Sequence, residues 1–225
     1  EQLRLWLKNH GPKLNRPFNI DSFNLGAYVQ STLLSQGLPS NSKTVLEQLQ
    51  DRISFLIVGT LEPRKGHLQV LEAFKILWQE GLPLNLVLVG KQGWMVEGLV
   101  RQLRSHPELN RRLFWLEEIS DEYLEQMYGA CTCLIAASYG EGFGLPLIEA
   151  AQHKLPIIAR DIPVFREVAG ENAFFFQTEN PRELAHKIQE WIQIFETGKH
   201  SRSEQIHWVT WEQSAEQLLS KLILK

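Results

Sequence analysis

Glu141 and Glu149 bracket a glycine-rich run, Ser138-Tyr139-Gly140-Glu141-Gly142-Phe143-Gly144-Leu145-Pro146, while Arg64 and Lys65 close a second loop, Gly59-Thr60-Leu61-Glu62-Pro63-Arg64-Lys65-Gly66. The two kinds of residue offer complementary chemistry. An ionised carboxylate only accepts hydrogen bonds, which suits sugar hydroxyls and not phosphate, whereas a guanidinium and an ammonium only donate and can neutralise an anion. Glycine lets the backbone turn sharply and come close to a ligand, and a helix opened by Pro146 presents free N–H groups and a positive dipole end to phosphate. Phosphate donors flanked by hydroxyl acceptors describe a cradle for a nucleotide sugar.

Each of these residues also has a plainer reading. Arg64 and Lys65 alone would read as a solvated pair, but cations at a helix start oppose its dipole, a cost that an anionic ligand relieves. Glu149 could be a first-turn residue favoured by that dipole, whereas Glu141 among glycines has no capping task. Phe143 reads equally as a plug or a ligand contact, and Lys91 as a phosphate or base contact or a surface charge. His67, His106 and His153 lack the spacing of a triad or metal site and read as structural, and Asp161 and Glu167 read as cap and surface beside a short helix. The sequence contains no Asp-x-Asp, the usual metal clamp for a diphosphate, so no metal ligand is assigned and Arg64, Lys65 and the helix end must do that work.

These loops need a scaffold that brings them to one edge. From residue 53 onward, apolar runs at 53–59, 84–89, 113–116, 133–137, 156–159 and 173–176 alternate with helical periodicity, specifying an α/β fold with a doubly wound parallel sheet covered on both faces. Helices are expected at 42–50, 66–79, 95–105, from Ser120 as N-cap, around 164–168, at 181–196, and from Thr210, whose spacing to Gln213 fits a capping box. In such sheets ligands lie beyond the carboxyl ends of the strands near the topological switch. That places Gly59 to Gly66, Gly90 to Gly93, Glu117 with Glu118, and the cradle together.

The 225 residues carry a formal charge of −3 and 44% hydrophobic residues, enough for a substantial core and without the electrostatic footprint of a nucleic-acid partner. No apolar run is long enough to span a membrane and the amino terminus has no signal-peptide pattern. Cys131 and Cys133 sit one residue apart on one strand, too close for a structural disulfide, and read as buried thiols in a reducing compartment. The chain starts at Glu1 and has only two methionines, which suggests a fragment: residues 1–50 as the remnant of an upstream domain, hinge and leader helix, with residues 17–25 extended, and residues 51–225 as a nucleotide-sugar-binding domain with a C-terminal helix.

Val58 to Gly66, together with Glu141-Gly142-Phe143-Gly144-Leu145-Pro146-Leu147-Ile148-Glu149-Ala150, resembles the donor half of retaining GT-B glycosyltransferases of family 4, over residues 53 to the end. The resemblance implies a Rossmann-like C-terminal half of such an enzyme. By it, Arg64 and Lys65 hold the donor diphosphate beside Gly59 and Thr60, Glu141 meets the sugar hydroxyls, Gly142, Phe143, Gly144 and Leu145 supply backbone to phosphate and sugar, and Glu149 meets the ribose. The segment from Leu116 to Glu118 corresponds to the base-receiving part. Gly90-Lys91-Gln92-Gly93-Trp94 and the cradle are similar to bacterial polysaccharide mannosyltransferases, which favours GDP-mannose over a UDP-hexose; Glu117 or Glu118 could accept from guanine. Implied partners are a glycan or lipid-linked acceptor held by an upstream domain, without which the fragment is expected to be inactive. The implied location is cytoplasmic, with peripheral membrane association of the full enzyme.

Two other classes compete. A dinucleotide-dependent oxidoreductase would share the alternating pattern but needs Gly-x-Gly-x-x-Gly after the first strand, where Gly59-Thr60-Leu61-Glu62-Pro63-Arg64 stands. A non-catalytic interaction domain on the same fold is opposed by the presence of Arg64, Lys65, Glu141 and Glu149.

Overall fold

A computed structural model describes residues 2–12, 20–27 and 37–223. In chain order the elements are α1 (Gln2–His10), α2 (Ser42–Gln50), β1 (Ser54–Val58), α3 (His67–Gln79), β2 (Asn85–Val89), α4 (Glu97–Arg104), β3 (Leu113–Leu116), α5 (Asp121–Ala130) and β4 (Cys133–Ala136). They continue with α6 (Leu145–Gln152), β5 (Ile157–Arg160), α7 (Pro163–Ala169), β6 (Phe174–Phe176), α8 (Pro181–Glu196) and α9 (Trp211–Ile223). The chain divides into two compact units, one of residues 1–28 with 208–225 and one of residues 29–207. Thus α2, expected in the leader, belongs with the sheet, and α9, expected with the sheet, belongs with the N-terminal segment.

The larger unit is built on a six-stranded sheet in the order β3-β2-β1-β4-β5-β6, parallel throughout, with Leu56 opposite Val87 on one side and Leu134 on the other. This is the Rossmann-like, doubly wound sheet expected from the alternating runs. Successive residues of a strand face opposite ways, and the core follows that rule. Phe55, Ile57, Leu86, Leu88, Cys133 and Ile135 pack under α3, α4 and α8. Leu56, Val87, Val89, Leu134 and Ala136 pack on the other face under α2, α5, α6 and α7. Both faces are covered by helices, so the strands read as continuous apolar runs instead of alternating ones. Cys131 and Cys133 are buried free thiols whose burial pushes their pKa values up.

Local signals set the element ends. The Ser120 hydroxyl accepts from the Tyr123 amide at 3.2 Å and opens α5. In the smaller unit, Thr210 and Gln213 exchange side-chain and backbone bonds of 3.1 and 2.9 Å, the capping box expected for α9. That helix is tied to the N-terminal segment by Ser214 Oγ to the Asn24 carbonyl at 2.6 Å and Lys221 to Asp21 at 2.8 Å. Residues 20–25 take no regular structure, and 17–19 of the expected extended stretch lie outside the described residues. Among the described residues no helix is long and apolar enough to cross a membrane.

Asp161 corrects one expectation: it does not cap α7. Ile162 occupies the N-cap position without a side-chain bond, while Asp161 accepts from Arg166 at 2.7 and 2.9 Å and from Gln177 at 3.0 Å. A bidentate guanidinium outcompetes a backbone amide for the carboxylate, and its hydrogen bonds bring the Asp161 pKa from 3.8 to about 2.

Candidate functional site

Strand order reverses between β1 and β4, and this switch point is where the two sequence-predicted loops meet. The loop after β1 turns through a short 3-10 segment, Pro63–Lys65, and passes through Gly66 at φ 74° into α3. A side chain at Gly66 would put its Cβ 2.4 Å from the Ala137 carbonyl oxygen, so the start of α3 seats directly against the end of β4. The Tyr139 amide then donates to the Arg64 carbonyl at 2.7 Å, stitching the second loop to the first.

Those contacts bring together residues 76 and 77 positions apart. Lys65 Nζ donates to Glu141 Oε2 at 2.7 Å, and Arg64 approaches the same carboxylate at 3.3 Å while its Nε bonds Glu62 at 2.9 Å. Burial by itself would raise the Glu141 pKa, but the Lys65 hydrogen bond and charge, the Arg64 charge and the Ser138 hydroxyl outweigh it, so the carboxyl sits below its ordinary value. Neither cation is saturated. An ammonium has three donors and Lys65 uses one; Arg64 spends Nε and one terminal nitrogen, leaving Nη2 unbonded among the described residues.

The cradle continues into α6. Gly144, at φ 94°, is its N-cap residue and Pro146 stands in the first turn. A Cβ on Gly144 would strike the Phe165 ring at 2.9 Å, so this glycine is required by the fold. At Gly142 the backbone is not left-handed and a Cβ would meet nothing within 4 Å. Among the described residues no contact requires glycine there. A cavity of about 20 Å³ lined by Lys65, Ser138, Glu141 and Gly144 lies within this cluster, room for about one water and not for a nucleotide.

Glu149 lies on α6, half-buried, with Oε2 accepting from the Tyr128 hydroxyl at 2.5 Å. The base-side candidates are more dispersed. Gly59 and Gly90 lie against each other, a Cβ at Gly90 meeting the Gly59 oxygen at 2.1 Å. The Leu61 amide donates to the Lys91 carbonyl at 2.9 Å and the Gly90 amide to the Leu116 carbonyl at 3.0 Å. The Lys91 side chain and those of Glu117 and Glu118 are exposed, Glu118 in the left-handed region at φ 51°. Thr60 and Phe143 are half-exposed.

Two parts of this arrangement escaped the sequence reading. One is Tyr128, which looked like an apolar helix position. The other is Arg160, whose place at the end of an apolar strand was a usable signal, since arginine is rarely buried. It is 4% exposed and donates to the Ala137 and Thr178 carbonyls, each at 2.9 Å, and to Gln69. Its guanidinium carbon lies 4.0 Å from the centre of the Tyr139 ring. No carboxylate stands within ion-pair distance of it among the described residues; carbonyl dipoles and the ring face compensate its charge. Arg160 thereby fixes the limb of backbone that carries Tyr139 and Glu141.

With this geometry in view, comparison with known proteins places the chain in a family. Residues 41–204 match the model of glycosyl transferases group 1, and the chain belongs to that family. It is 50% identical over 224 residues to the serotype-specific mannosyltransferase WbdA of Escherichia coli, covering 99% of this chain and 28% of that protein. It is also 28% identical over 160 residues to the O-antigen chain mannosyltransferase B of E. coli, covering 68% of this chain and 42% of that one. The chain therefore spans little more than a quarter of the length of WbdA. Among solved structures, Anabaena Alr3699/HepE in complex with UDP and glucose superposes with a TM-score of 0.66 at 21% identity, over 83% of this chain and 52% of that one. The C-terminal domain of a group 1 glycosyl transferase, LpcC of Francisella tularensis, gives 0.58 at 20% identity over 78% and 91%. These structures share the fold.

Proposed function

We propose that this chain is the donor-binding domain of a retaining, metal-independent mannosyltransferase that takes mannose from GDP-mannose to a glycan or lipid-linked acceptor. The observation that carries the reading is the convergence, at the β1–β4 switch point, of two unsaturated cations, a sugar-type carboxylate and the amino end of α6 behind an open glycine, Gly142. The identity to WbdA supports mannose as the sugar.

In this reading the diphosphate lies over Gly142 to Leu145, taking the free N–H donors of Lys65 and Arg64 and those at the start of α6. As the bond from the sugar's anomeric carbon to the phosphate oxygen breaks, its electron pair passes to the diphosphate, where these donors stabilise the growing charge. The acceptor oxygen bonds the same face of that carbon, and its proton goes to the departing diphosphate oxygen. Glu141, held by Lys65, accepts from sugar hydroxyls, and Glu149 from the ribose. Lys91, Leu116 and Glu118 border the base, and the backbone at Gly59 and Thr60 lies beside the diphosphate. The cytoplasmic location and peripheral membrane attachment of the whole enzyme belong to the same proposal.

The test is a thermal-shift series with GDP, UDP and ADP at equal concentration, because ligand binding stabilises the folded state with the logarithm of concentration over Kd. The largest shift is expected with GDP. A larger shift with UDP would replace the base, and no shift with any of the three would overturn the site. Product anomericity by NMR, with the complete enzyme, tests retention.

A further inference from the structure

Glu149 is held in an unusual way for a half-buried carboxylate. No cation stands within ion-pair distance of it among the described residues, and its Oε2 accepts one short bond, 2.5 Å, from the Tyr128 hydroxyl. Oε1 has no hydrogen-bond partner among the described residues. Tyr128 lies in the last turn of α5, 3% exposed, with its ring stacked on the exposed His153 imidazole at 5.3 Å and 8°. Burial first, and then the charge of Glu149, pushes the phenol well above its ordinary pKa, so it remains a donor. A cation in the same place would both orient the carboxylate and consume its charge; a neutral phenol orients it and leaves the second oxygen fully able to accept.

We propose that Tyr128 is a positioning residue for nucleotide recognition: clamped by His153, it fixes the Glu149 side chain so that Oε1 receives the ribose hydroxyls of the donor. This rests on the reading of Glu149 as the ribose acceptor. A structural role for Tyr128 would affect every nucleotide alike, whereas positioning affects only nucleotides that have ribose hydroxyls to offer.

The experiment measures, by calorimetry, Kd for GDP and for 2′,3′-dideoxy-GDP with the wild type, Tyr128→Phe, His153→Ala and Glu149→Gln; if UDP gives the larger thermal shift, the uridine pair is used. The wild type is expected to prefer the ribose form by about tenfold, the scale of a hydrogen bond to a charged group. Tyr128→Phe should cut that preference by roughly threefold or more while leaving dideoxy-GDP affinity unchanged. His153→Ala, which loosens the ring without removing its hydroxyl, should lower the preference by a smaller factor and serves if Tyr128→Phe fails to fold. If Glu149→Gln abolishes the preference and both other variants retain it, the positioning role is overturned and the ribose reading stands. If Glu149→Gln also retains it, the ribose reading falls and the positioning role with it.

Discussion

His67 follows Lys65 and Gly66 at the first position of α3, and replacing it by leucine should change how stability responds to acid. The ring is 1% exposed and, among the described residues, neither nitrogen has a hydrogen-bond partner within bonding geometry. Burial, and secondarily the Lys65 charge, lowers its pKa from 6.5 to about 4, and the Glu62 backbone opposes this. Between those values the unfolded chain binds the proton and the folded chain does not, so stability falls as pH drops through the window and is fully present above it. A pKa lowered from 6.5 to about 4 corresponds to a limiting loss of about 3 kcal/mol at low pH, of which about 2 kcal/mol is reached by about pH 5. Urea unfolding of the wild type and His67→Leu at about pH 7.5 and about pH 5 measures it directly, since all other titrating groups are common to both. The variant should be at least as stable as the wild type at the higher pH, because an apolar side chain replaces two unpartnered nitrogens. It should lose about 2 kcal/mol less on acidification. Parallel losses in the two proteins would refute a buried neutral ring at this position.

Lys65→Ala should weaken nucleoside diphosphate binding by about tenfold or more, read by calorimetry, because it removes a charge-assisted donor; unchanged affinity removes Lys65 from the site. Gly66→Ala and Gly142→Ala should part company. The first forces a Cβ to 2.4 Å from the Ala137 carbonyl at φ 74° and should cost about 2 kcal/mol or more in urea unfolding. The second meets only open space, so stability should hold within about 1 kcal/mol while nucleotide binding falls; intact binding would mean that no ligand approaches Gly142. Glu141→Gln in the complete enzyme should depress sugar transfer while plain GDP binds at least as well, since a carboxylate that occupies Lys65 is gone; weakened GDP binding would show Glu141 supporting the nucleotide and not the sugar.

What could be read from the chain and what could not divide along a physical line. Strands β1 and β2, the helix start at Ser120 and the Thr210–Gln213 box are encoded by neighbours in sequence, through apolar runs and side chains that reach the next turn of backbone. The cradle was visible for the same reason, as glycines between a strand end and a proline-led helix. The pairing of Lys65 with Glu141 was not, because it depends on β4 lying beside β1, and six apolar runs are compatible with many strand orders. Asp161 was misread as a cap because the carboxylate is taken instead by Arg166, which reaches back from α7, and by Gln177, which meets it only after β6 joins β5.

Arg160 carries this furthest. In sequence it ends an apolar strand and would be assigned to solvent; in the fold it is buried behind the glycine-rich loop with no carboxylate within ion-pair distance among the described residues. Burying a guanidinium is costly unless its donors are met, and here the acceptors are the Ala137 and Thr178 carbonyls and Gln69. Two of those are backbone atoms whose positions the charge fixes in return. The limb from Ala137 to Tyr139 is thus anchored from behind by Arg160 and from the front by the Arg64 carbonyl. Glu141, two residues beyond Tyr139, is presented to Lys65 by a backbone held at both faces. The Lys65–Glu141 pair is therefore a product of packing at the switch point, and Arg160, which bonds neither member of it, helps set where the carboxylate stands.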